Sequence, residues 1–473
     1  MTAKKLYILT MGCQMNVYDS EQIAKVLQPS GYALTRAMEK ADLIVVNTCA
    51  IREKAEHKAF SFLGRLAGLK RKKPGLIIAV GGCVAQQEGE KILERAPHID
   101  LAFGTHAITR LPRTIQQIAT KKYRMCDIEM SEAIDESPSE MGVRNDGKAT
   151  RFVTIMRGCD NYCAYCVVPY VRGRETSRNP LKIIEEIEGL VESGVREVTL
   201  LGQNVNSYGK KEGLCTFPKL LYMINEIDGL VRIRFTTSHP KDLSDDLIGA
   251  FKDLDKLCSH IHLPVQSGSD GILKRMNRDY TRALYLEKID KLRRVCPDIA
   301  ITSDFIVGFP GETENDFHET LSLIKRVEYD SIFAFTYSDR PNAPAARFSD
   351  KISEAEKKER LHRLLKFQEK YTIRSNRSLV GSTQLILVDG ASKKQDGTGL
   401  QAGYKDAQWT GRTSTNKVVN FPGRKNPDAD DDIVTGKLVN VRIDKAHPHS
   451  LWGKPVWVET TGLGLKGEGS YVA

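Results

Sequence analysis

The sequence predicts an α/β protein made of three successive parts. In the first 120 residues, continuous runs of Leu, Ile and Val alternate with helix-like stretches, which is typical of a doubly wound parallel sheet. Residues 150–340 carry six more apolar runs with helices between them, which predicts a partial (β/α)6 barrel. Short alternating segments near the C-terminus, broken by Gly, Pro and Asp, predict a small β-barrel.

These changes of pattern set the expected domain boundaries. An N-terminal domain covers residues 1–126, an acidic linker covers 127–149, the barrel domain covers 150–377, the small β-barrel covers 378–459, and a tail covers 460–473. A chain of 473 residues should hold two to four domains.

The composition indicates a soluble globular protein. Apolar residues make up 41% of the chain and charged residues 27%. No apolar run approaches the length of a membrane-spanning helix, and the N-terminus lacks the features of a signal peptide. We therefore expect a cytoplasmic location, where cysteines more often bind metal or do chemistry than form disulfides. The net charge of +10, from 70 basic and 60 acidic residues, permits a polyanionic partner without requiring one.

Three apolar runs of the N-terminal domain end in a lone cysteine. The runs in "LYILTMGC", "LIVVNTC" and "LIIAVGGC" end at Cys13, Cys49 and Cys83, which we name the N-terminal thiol set. Parallel strands end at one edge of the sheet, where such sheets bind ligands, so the three thiols should gather there. They suit zinc with one open position or an iron–sulfur cluster with one free iron. Three separate buried thiols are the alternative interpretation.

The segment "RGCDNYCAYC" carries the most specific motif of the chain. Its spacing, CxxxCxxC, is formed by Cys159, Cys163 and Cys166, which we name the loop thiol set. Such a loop can hold three irons of a [4Fe–4S] cluster and leave the fourth iron exposed. A zinc loop fits less well, because zinc sites favour two close pairs or Cys/His sets. The motif resembles that of the radical S-adenosylmethionine (SAM) superfamily, in which the exposed iron binds SAM.

Polar residues follow the predicted barrel strands, at the end where parallel barrels place their active sites. The candidate SAM contacts are Tyr165, Gln203, Asn204, Ser238, Gln266 and Asp304. His239 can as easily end a strand as touch a ligand. His262 lies inside an apolar run and is expected to be a core histidine.

The predicted β-barrel at the C-terminus combines cations with aromatic side chains, as many single-stranded RNA binders do. The residues concerned are Trp409, Arg412, Lys417, Phe421, Arg442 and Lys445.

Taken in order along the chain, these features resemble the methylthiotransferase family over nearly the whole length. The motifs that carry the resemblance are "GCQMN", "NTCAIR", "GGCVAQ", "GCDNYCAYCVVPYVRGRE", "LLGQNVNSY", "HLPVQSGSD", "SDFIVGFPGET" and "GRTSTNKVVNF". The resemblance implies an RNA-binding TRAM domain at the C-terminus. It also implies that the loop thiol set binds the radical SAM cluster and that the N-terminal thiol set binds an auxiliary [4Fe–4S] cluster carrying sulfur. The remaining cysteines have no counterpart role and are expected to be structural: Cys126, Cys215, Cys258 and Cys296.

The resemblance further implies a substrate and partners. The expected reaction adds a methylthio group to C2 of N6-isopentenyl(dimethylallyl)adenosine at position 37, beside the tRNA anticodon. SAM would act as radical source and methyl donor, and an electron donor and a sulfur source would be needed. We expect phosphate contacts to the tRNA from Arg172, Arg174, Arg412 and Lys417.

Two alternatives remain open from the sequence. Sister methylthiotransferases act on threonylcarbamoyl-adenosine in tRNA or on an aspartate of a ribosomal protein, and their first motif tends to read GCKVN or GCPKN. This chain reads GCQMN, from Gly12 to Asn16. A non-enzymatic iron–sulfur protein that binds RNA and senses redox state is the alternative from another class.

Overall fold

The structure is a computed structural model that describes residues 3–50, 53–131, 147–392, 408–423 and 433–456. It divides into two compact units, Met1–Thr372 and Ile373–Ala473. Most of the predicted linker and all of the predicted tail lie outside the described residues.

A six-stranded parallel sheet forms the first part of the first unit. Its strands are β1 Lys4–Thr10, β2 Tyr32–Leu34, β3 Leu43–Thr48, β4 Ile77–Gly82, β5 Leu101–Phe103 and β6 Met125–Asp127. They lie in the order β2-β1-β3-β4-β5-β6, with every neighbouring pair parallel. The strand order reverses between β1 and β3, and sheets of this type bind ligands beyond the carboxyl ends of the strands at such a point.

Helices cover both faces of this sheet. They are α1 Gln14–Leu27, α2 Glu53–Lys72, α3 Cys83–Glu88, α4 Glu90–Arg95 and α5 Leu111–Lys121. One face buries Ile23 and Ile115 from α1 and α5, and the other buries Leu63 and Ile92 from α2 and α4. This arrangement confirms the doubly wound α/β fold predicted from the sequence.

The second part of this unit is a partial parallel barrel. Its strands and a short antiparallel pair are β7 Thr150–Thr154, β8 Met156–Arg157, β9 Thr176–Ser177, β10 Glu197–Leu201, β11 Arg232–Phe235, β12 His260–His262, β13 Ala300–Val307 and β14 Ser331–Thr336. Its helices are α6 Val168–Arg172, α7 Pro180–Glu192, α8 Phe217–Asn225, α9 Asp245–Asp253, α10 Asp270–Arg275, α11 Arg282–Val295, α12 Glu314–Val327 and α13 Glu354–Arg377, the last of which runs on into the second unit. Short 3₁₀ helices lie at Met38–Lys40, Ile108–Arg110, Val205–Ser207, Pro240–Asp242 and Pro344–Arg347.

The six predicted barrel strands all form, as two parallel three-stranded sheets. The sheets have the orders β11-β10-β7 and β12-β13-β14, and a parallel bridge pairs Ile233 of β11 with Leu257, in the segment that leads into β12. Alternate residues such as Ile301 and Phe305 pack with the helices in the largest apolar core. The residues between them, such as Asp304, therefore face the interior of the barrel.

The second unit contains a closed five-stranded barrel, which confirms the small β-barrel predicted from the sequence. Its strands are β15 Thr383–Ala391, β16 Gln408–Arg412, β17 Val418–Pro422, β18 Leu438–Ala446 and β19 Leu451–Pro455. Ile386, Val419 and Val441 are among the side chains that fill its interior. In the described part of the chain, no helix has the length and apolar character needed to cross a membrane.

Candidate active site

The N-terminal thiol set lies at the carboxyl edge of the parallel sheet, as predicted. Cys13 follows β1 and stands just before α1, Cys49 follows β3, and Cys83 is the first residue of α3 after β4. The strands β1 and β3 flank the point where the strand order reverses. The fold therefore brings these three cysteines to the edge where such sheets bind their ligands.

A buried asparagine pair fixes Cys13 beside Cys49. The Asn16 Oδ1 atom accepts the backbone N–H of Cys13 at 3.3 Å, and Asn16 Nδ2 donates to Asn47 Oδ1 at 3.0 Å. Asn47 Nδ2 donates back to the Asn16 carbonyl oxygen at 2.9 Å. Asn16 thus has a structural task. It is also the one position after the cysteine that reads the same in GCQMN, GCKVN and GCPKN, so any substrate signal in that motif lies in Gln14 and Met15.

Two glycines allow the thiols to approach each other. A Cβ atom on Gly12 would lie 2.7 Å from the Cys49 Cβ atom and 2.3 Å from Asn16 Oδ1. Gly82 has a φ of +90°, and a Cβ atom there would lie 2.3 Å from the Thr48 carbonyl oxygen. Because real side chains do not tolerate such contacts, both positions before a cysteine require glycine.

The three thiols of this set influence one another. A hydrogen bond with the Cys49 thiol lowers the pKa of Cys13 to about 6. Burial raises the pKa of Cys83, against the opposing effect of the Arg172 guanidinium. A thiolate is the form of cysteine that binds metal, and both the Cys49 hydrogen bond and the Arg172 charge favour that form of Cys13.

The prediction that Arg172 contacts tRNA phosphates is wrong. Its side chain is buried, and its Nη2 atom forms an ion pair with Asp19 Oδ2 at 2.7 Å. A guanidinium enclosed in this way cannot reach a phosphate on the protein surface. Arg174, two residues later, keeps an exposed side chain that pairs with Asp160 at 2.8 Å.

The loop thiol set lies between β8 and α6, in the loop that follows the first barrel strands. Cys159 and Cys166 lie close enough to Cys163 that its charge raises the pKa of both, although burial is the larger cause. The pKa of Cys159 rises to about 11 and that of Cys166 to about 12. Asn277 holds the loop by donating to the carbonyl oxygens of Asn161 and Tyr162 at 3.2 and 3.1 Å.

Arg278 places a buried cation on this loop. Its Nη1 atom lies 3.5 Å from the Cys163 sulfur and 3.3 Å from the Tyr165 hydroxyl. Its other nitrogens donate to the Tyr280 hydroxyl and the Pro264 carbonyl oxygen. The sequence motifs did not single out Arg278, because its loop lies more than 100 residues from the cysteines.

The polar residues predicted after β10 and β11 come together at the barrel rim. Gln203 Oε1 accepts the backbone N–H of Gly158 at 2.5 Å, which ties the rim to the loop thiol set. Asn204 donates to Asp242 at 2.7 Å. Several buried polar atoms have no hydrogen-bond partner among the described residues: Gln203 Nε2, Asn204 Oδ1, Asn206 Oδ1, Ser238 Oγ and His239 Nε2. Buried polar groups are normally satisfied, so this concentration marks a place for a polar ligand.

The remaining candidates lie on or beside β12 and β13. Gln266 has a φ of +74°, a strained conformation for a residue with a side chain, and its backbone pairs with that of Asp304. Asp304 lies 3.4 Å from His262 Nε2, and His262 Nδ1 lies 3.0 Å from the Thr302 hydroxyl. His262 is therefore satisfied, as expected, although it faces the barrel interior rather than the core.

Sequence reasoning missed two aromatic side chains on β14. Phe333 pairs in register with Asp304, and Phe335 pairs with Ile306, so both share the interior face with them. Their side chains are 51% and 37% exposed. The alternation in "SIFAFT" predicts that the two phenylalanines share one face of the strand. It does not predict that this face lines the barrel interior and stays exposed.

Among the residues of the C-terminal barrel that were expected to contact RNA, Phe421 is buried, whereas Trp409, Arg412 and Lys417 are partly exposed. Phe421 is fully buried in the barrel interior, so the prediction that it offers a stacking face is wrong. Trp409 is only partly buried beside this core. Arg412 binds Asn416, and Lys417 donates to Ser375 and Asn376 at 2.9 and 3.0 Å. Their contacts to RNA stay predictions.

Both thiol sets fit iron–sulfur clusters with one open iron. Each supplies three thiols, and none of the ten cysteines, all within the described residues, forms a disulfide. No three His, Cys, Asp or Glu side chains of the described residues converge on a single metal ion. In such a cluster each thiolate binds a different iron, so three thiolates leave the fourth iron open.

The chain matches three families in succession. It matches the uncharacterized protein family UPF0004 over residues 5–104, the radical SAM superfamily over 153–324 and the TRAM domain over 377–456. With the two thiol sets, these matches define the class of the protein as a radical SAM enzyme that carries a TRAM domain.

Curated relatives identify the family within that class. The tRNA-2-methylthio-N(6)-dimethylallyladenosine synthase of Desulfosudis oleivorans is 55% identical over 461 residues, which cover 98% of each chain. The protein of the same name from Geobacter metallireducens is 52% identical, over 96% of this chain and 99% of its own. The chain belongs to the tRNA-2-methylthio-N(6)-dimethylallyladenosine synthase family, and its cofactors are SAM and [4Fe–4S] clusters.

Solved structures with little sequence identity share the fold. The radical SAM methyltransferase TsrM from Kitasatospora setae, with tryptophan and a SAM analog bound, matches with a TM-score of 0.55 and 12% identity. The match covers 73% of this chain and 75% of that one. The same protein with cobalamin and a [4Fe-4S] cluster bound gives a TM-score of 0.53 at 13% identity, over 73% and 77% of the two chains.

Proposed function

We propose that this chain adds a methylthio group to C2 of N6-isopentenyl(dimethylallyl)adenosine at position 37 of tRNA, beside the anticodon. The observation that carries the proposal is the presence of two separate three-thiol sets within one compact unit of a chain from this family. A single [4Fe–4S] cluster with one open iron would account for only one set.

In this proposal each thiol set holds one cluster. Cys159, Cys163 and Cys166 hold the radical SAM cluster, and the N-terminal thiol set holds the auxiliary cluster. The bound cofactors supply the radical that activates the C2–H bond, the sulfur and the methyl group, because no side-chain base can remove that hydrogen as a proton. The protein's own task is to hold, orient and enclose these groups.

The barrel rim is the proposed SAM site. The unsatisfied atoms of Gln203, Asn204 and Ser238 suit the hydroxyl, amine and carboxylate groups of SAM. The hydrogen bond from the Gly158 N–H to Gln203 fixes the position of this site relative to the loop thiol set. Tyr165, Gln266 and Asp304 complete the predicted contacts.

The substrate base is proposed to bind along the interior face of β14. Its half-exposed Phe333 and Phe335 offer flat apolar surfaces, and an unpaired base stacks well on such surfaces. The base must leave the anticodon stack, which costs a few kcal/mol and less in a loop than in a duplex. Arg174, Arg412 and Lys417 are the proposed phosphate contacts.

The proposal also requires partners and a compartment. The reduced radical SAM cluster needs an external electron donor, and each turnover consumes sulfur that a source must replace. We propose a cytoplasmic location, which the ten cysteines without disulfides support.

Anaerobic reconstitution of the full-length chain tests the proposal first. Iron analysis should give about eight atoms per chain, four for each cluster. About four atoms, or zinc alone, would contradict two clusters.

The protein is then incubated with SAM, dithionite and tRNA bearing isopentenyladenosine, and the nucleosides are analysed by mass spectrometry. We expect the methylthio product. Product only on tRNA bearing threonylcarbamoyl-adenosine would instead indicate the sister enzyme, and no product on either would favour a redox sensor.

A further inference from the structure

Arg172 connects the barrel to the N-terminal thiol set. It is the last residue of α6, the helix that follows the loop thiol set, yet its side chain contacts α1 of the N-terminal domain. Its Nη2 atom lies 2.7 Å from Asp19 Oδ2 on α1, and the two side chains are only 5% and 10% exposed. Its positive charge acts on both Cys83 and Cys13, in the direction that lowers the pKa of a thiol.

The backbone of this segment is fixed from the N-terminal domain. Thr105 Oγ1 donates to the Val171 carbonyl oxygen at 2.8 Å, and His106 Nε2 lies 3.0 Å from the Arg172 carbonyl oxygen. The side chain of Val171 packs against Cys83 in a small apolar core. Arg172 is thus held at both its backbone and its guanidinium, and it cannot leave the thiol set without breaking these contacts.

The Arg172 guanidinium beside this set has one carboxylate partner and a second arginine close by. Asp19 is the only carboxylate within 4 Å of the Arg172 guanidinium among the described residues. Burial and then the charge of Arg172 lower the pKa of a second arginine, Arg157, to about 10. A buried cation is costly unless an anion balances it, and thiolates bound to a cluster would provide that anion.

We propose that Arg172 is a positioning residue for the auxiliary cluster, whose negative charge its guanidinium balances and whose reduction potential it raises. Asp19 acts in the opposite direction by holding the guanidinium and neutralising part of its charge. The physical reason is that a nearby positive charge stabilises the reduced, more negative state of a cluster. The inference rests on the part of the proposed function that gives the N-terminal thiol set a cluster, and not on the identity of the tRNA substrate.

The test measures the auxiliary cluster alone in the full-length chain. Cys159, Cys163 and Cys166 are replaced by Ala, so that only the N-terminal thiol set can bind a cluster, and the reduction potential is measured by redox titration followed by electron paramagnetic resonance. Arg172→Gln should shift the potential downward, and Asp19→Asn should shift it upward. Arg172→Lys, which keeps the charge, should stay closer to the parent than Arg172→Gln.

A matched control lies two residues away. Arg174→Gln removes an exposed arginine from the same segment and should leave the auxiliary potential unchanged. Iron content, measured for each variant, shows whether the cluster is present. If Arg172→Gln does not bind iron, the Asp19→Asn and Arg172→Lys variants decide the question.

Opposite shifts from Arg172→Gln and Asp19→Asn would support the inference, since a purely structural role would not produce them. An unchanged potential in Asp19→Asn with full iron content, or shifts of both variants in the same direction, would overturn it. The result is separable from the proposed reaction, because opposite shifts can be observed even if no tRNA substrate gives a product.

Discussion

The Arg278 guanidinium lies 3.5 Å from the Cys163 sulfur and is buried. Among the described residues, the Arg278 guanidinium contacts two tyrosine hydroxyls, a backbone carbonyl oxygen and this thiol, and none of these partners is a carboxylate. A guanidinium without a carboxylate in a buried site needs another anion. The cluster proposed for the loop thiol set would meet that need.

The first prediction concerns this cation. Arg278→Gln should lower the reduction potential of the radical SAM cluster and slow reductive cleavage of SAM, while Arg278→Lys should retain much of both. Redox titration and the rate of 5′-deoxyadenosine formation check this. The control is Arg275→Gln, which removes a half-exposed arginine paired with Asp350 and should change neither quantity. An unchanged potential in Arg278→Gln would contradict the prediction.

The second prediction concerns Ser238, whose buried hydroxyl lacks a partner among the described residues. Ser238→Ala should weaken SAM binding about five- to tenfold, the worth of one hydrogen bond. It should not lower stability, because the hydroxyl makes no described bond within the protein. Equilibrium binding of SAM and thermal unfolding measure the two effects. Ser244→Ala is the matched control: Ser244 caps α9 by accepting the Leu247 N–H, so its loss should reduce stability and leave SAM affinity intact.

The sequence was sufficient to predict the order of elements and the placement of both thiol sets, because local patterning and strand-end geometry determine them. It was not sufficient to predict that the Arg172 side chain is buried, because its partner Asp19 lies 153 residues earlier in the chain. Nor could alternation along β17 decide that Phe421 faces the barrel interior, since closure of the barrel selects the face. Helix α1 begins at Gln14, directly after Cys13, because the contacts of Asn16 fix its first turn.

The third prediction is an acid sensitivity that depends on His106. Burial, followed by the charge of Arg157, lowers the pKa of His106 from 6.5 to about 4. Between these values the unfolded chain binds the proton and the folded chain does not, so stability should fall as the pH drops from 6.5 to 4, by at most about 3 kcal/mol. His106→Gln should flatten this dependence in urea unfolding of the cluster-free chain. His318→Gln, at an exposed position, should leave it as in the parent, and an unchanged slope in His106→Gln would refute the assignment.

The fourth prediction concerns the buried ion pair between Glu312 and Arg360. Their side chains are 2% and 3% exposed, Arg360 Nη1 lies 2.7 Å from Glu312 Oε1, and the same oxygen accepts the Gly308 N–H. Arg360→Met should cost about 3–5 kcal/mol, because Glu312 stays buried without its cation. Adding Glu312→Gln should recover part of that loss. Arg363→Met, which breaks an exposed pair with Glu314, should cost less than about 1 kcal/mol. Equal losses in the two arginine variants would contradict this ranking.

The fifth prediction concerns Phe333, a large aromatic side chain left 51% exposed on the interior face of the barrel. It lies in register with Asp304, and its ring centre is 6.0 Å from that of His262, so it is fixed beside the polar rim. If the substrate base stacks on it, Phe333→Ala should raise the KM for isopentenylated RNA about tenfold or more, since such stacking is worth about 1–3 kcal/mol. The affinity for SAM should stay unchanged, because the aromatic ring does not supply the polar contacts that SAM requires.

Tyr222→Ala provides the control, since Tyr222 is similarly exposed but lies on α8 outside the barrel, and its loss should not affect KM. A KM in Phe333→Ala equal to that of the parent would show that the base binds elsewhere, whereas a matching loss of SAM affinity would mean that the substitution disturbs the whole rim.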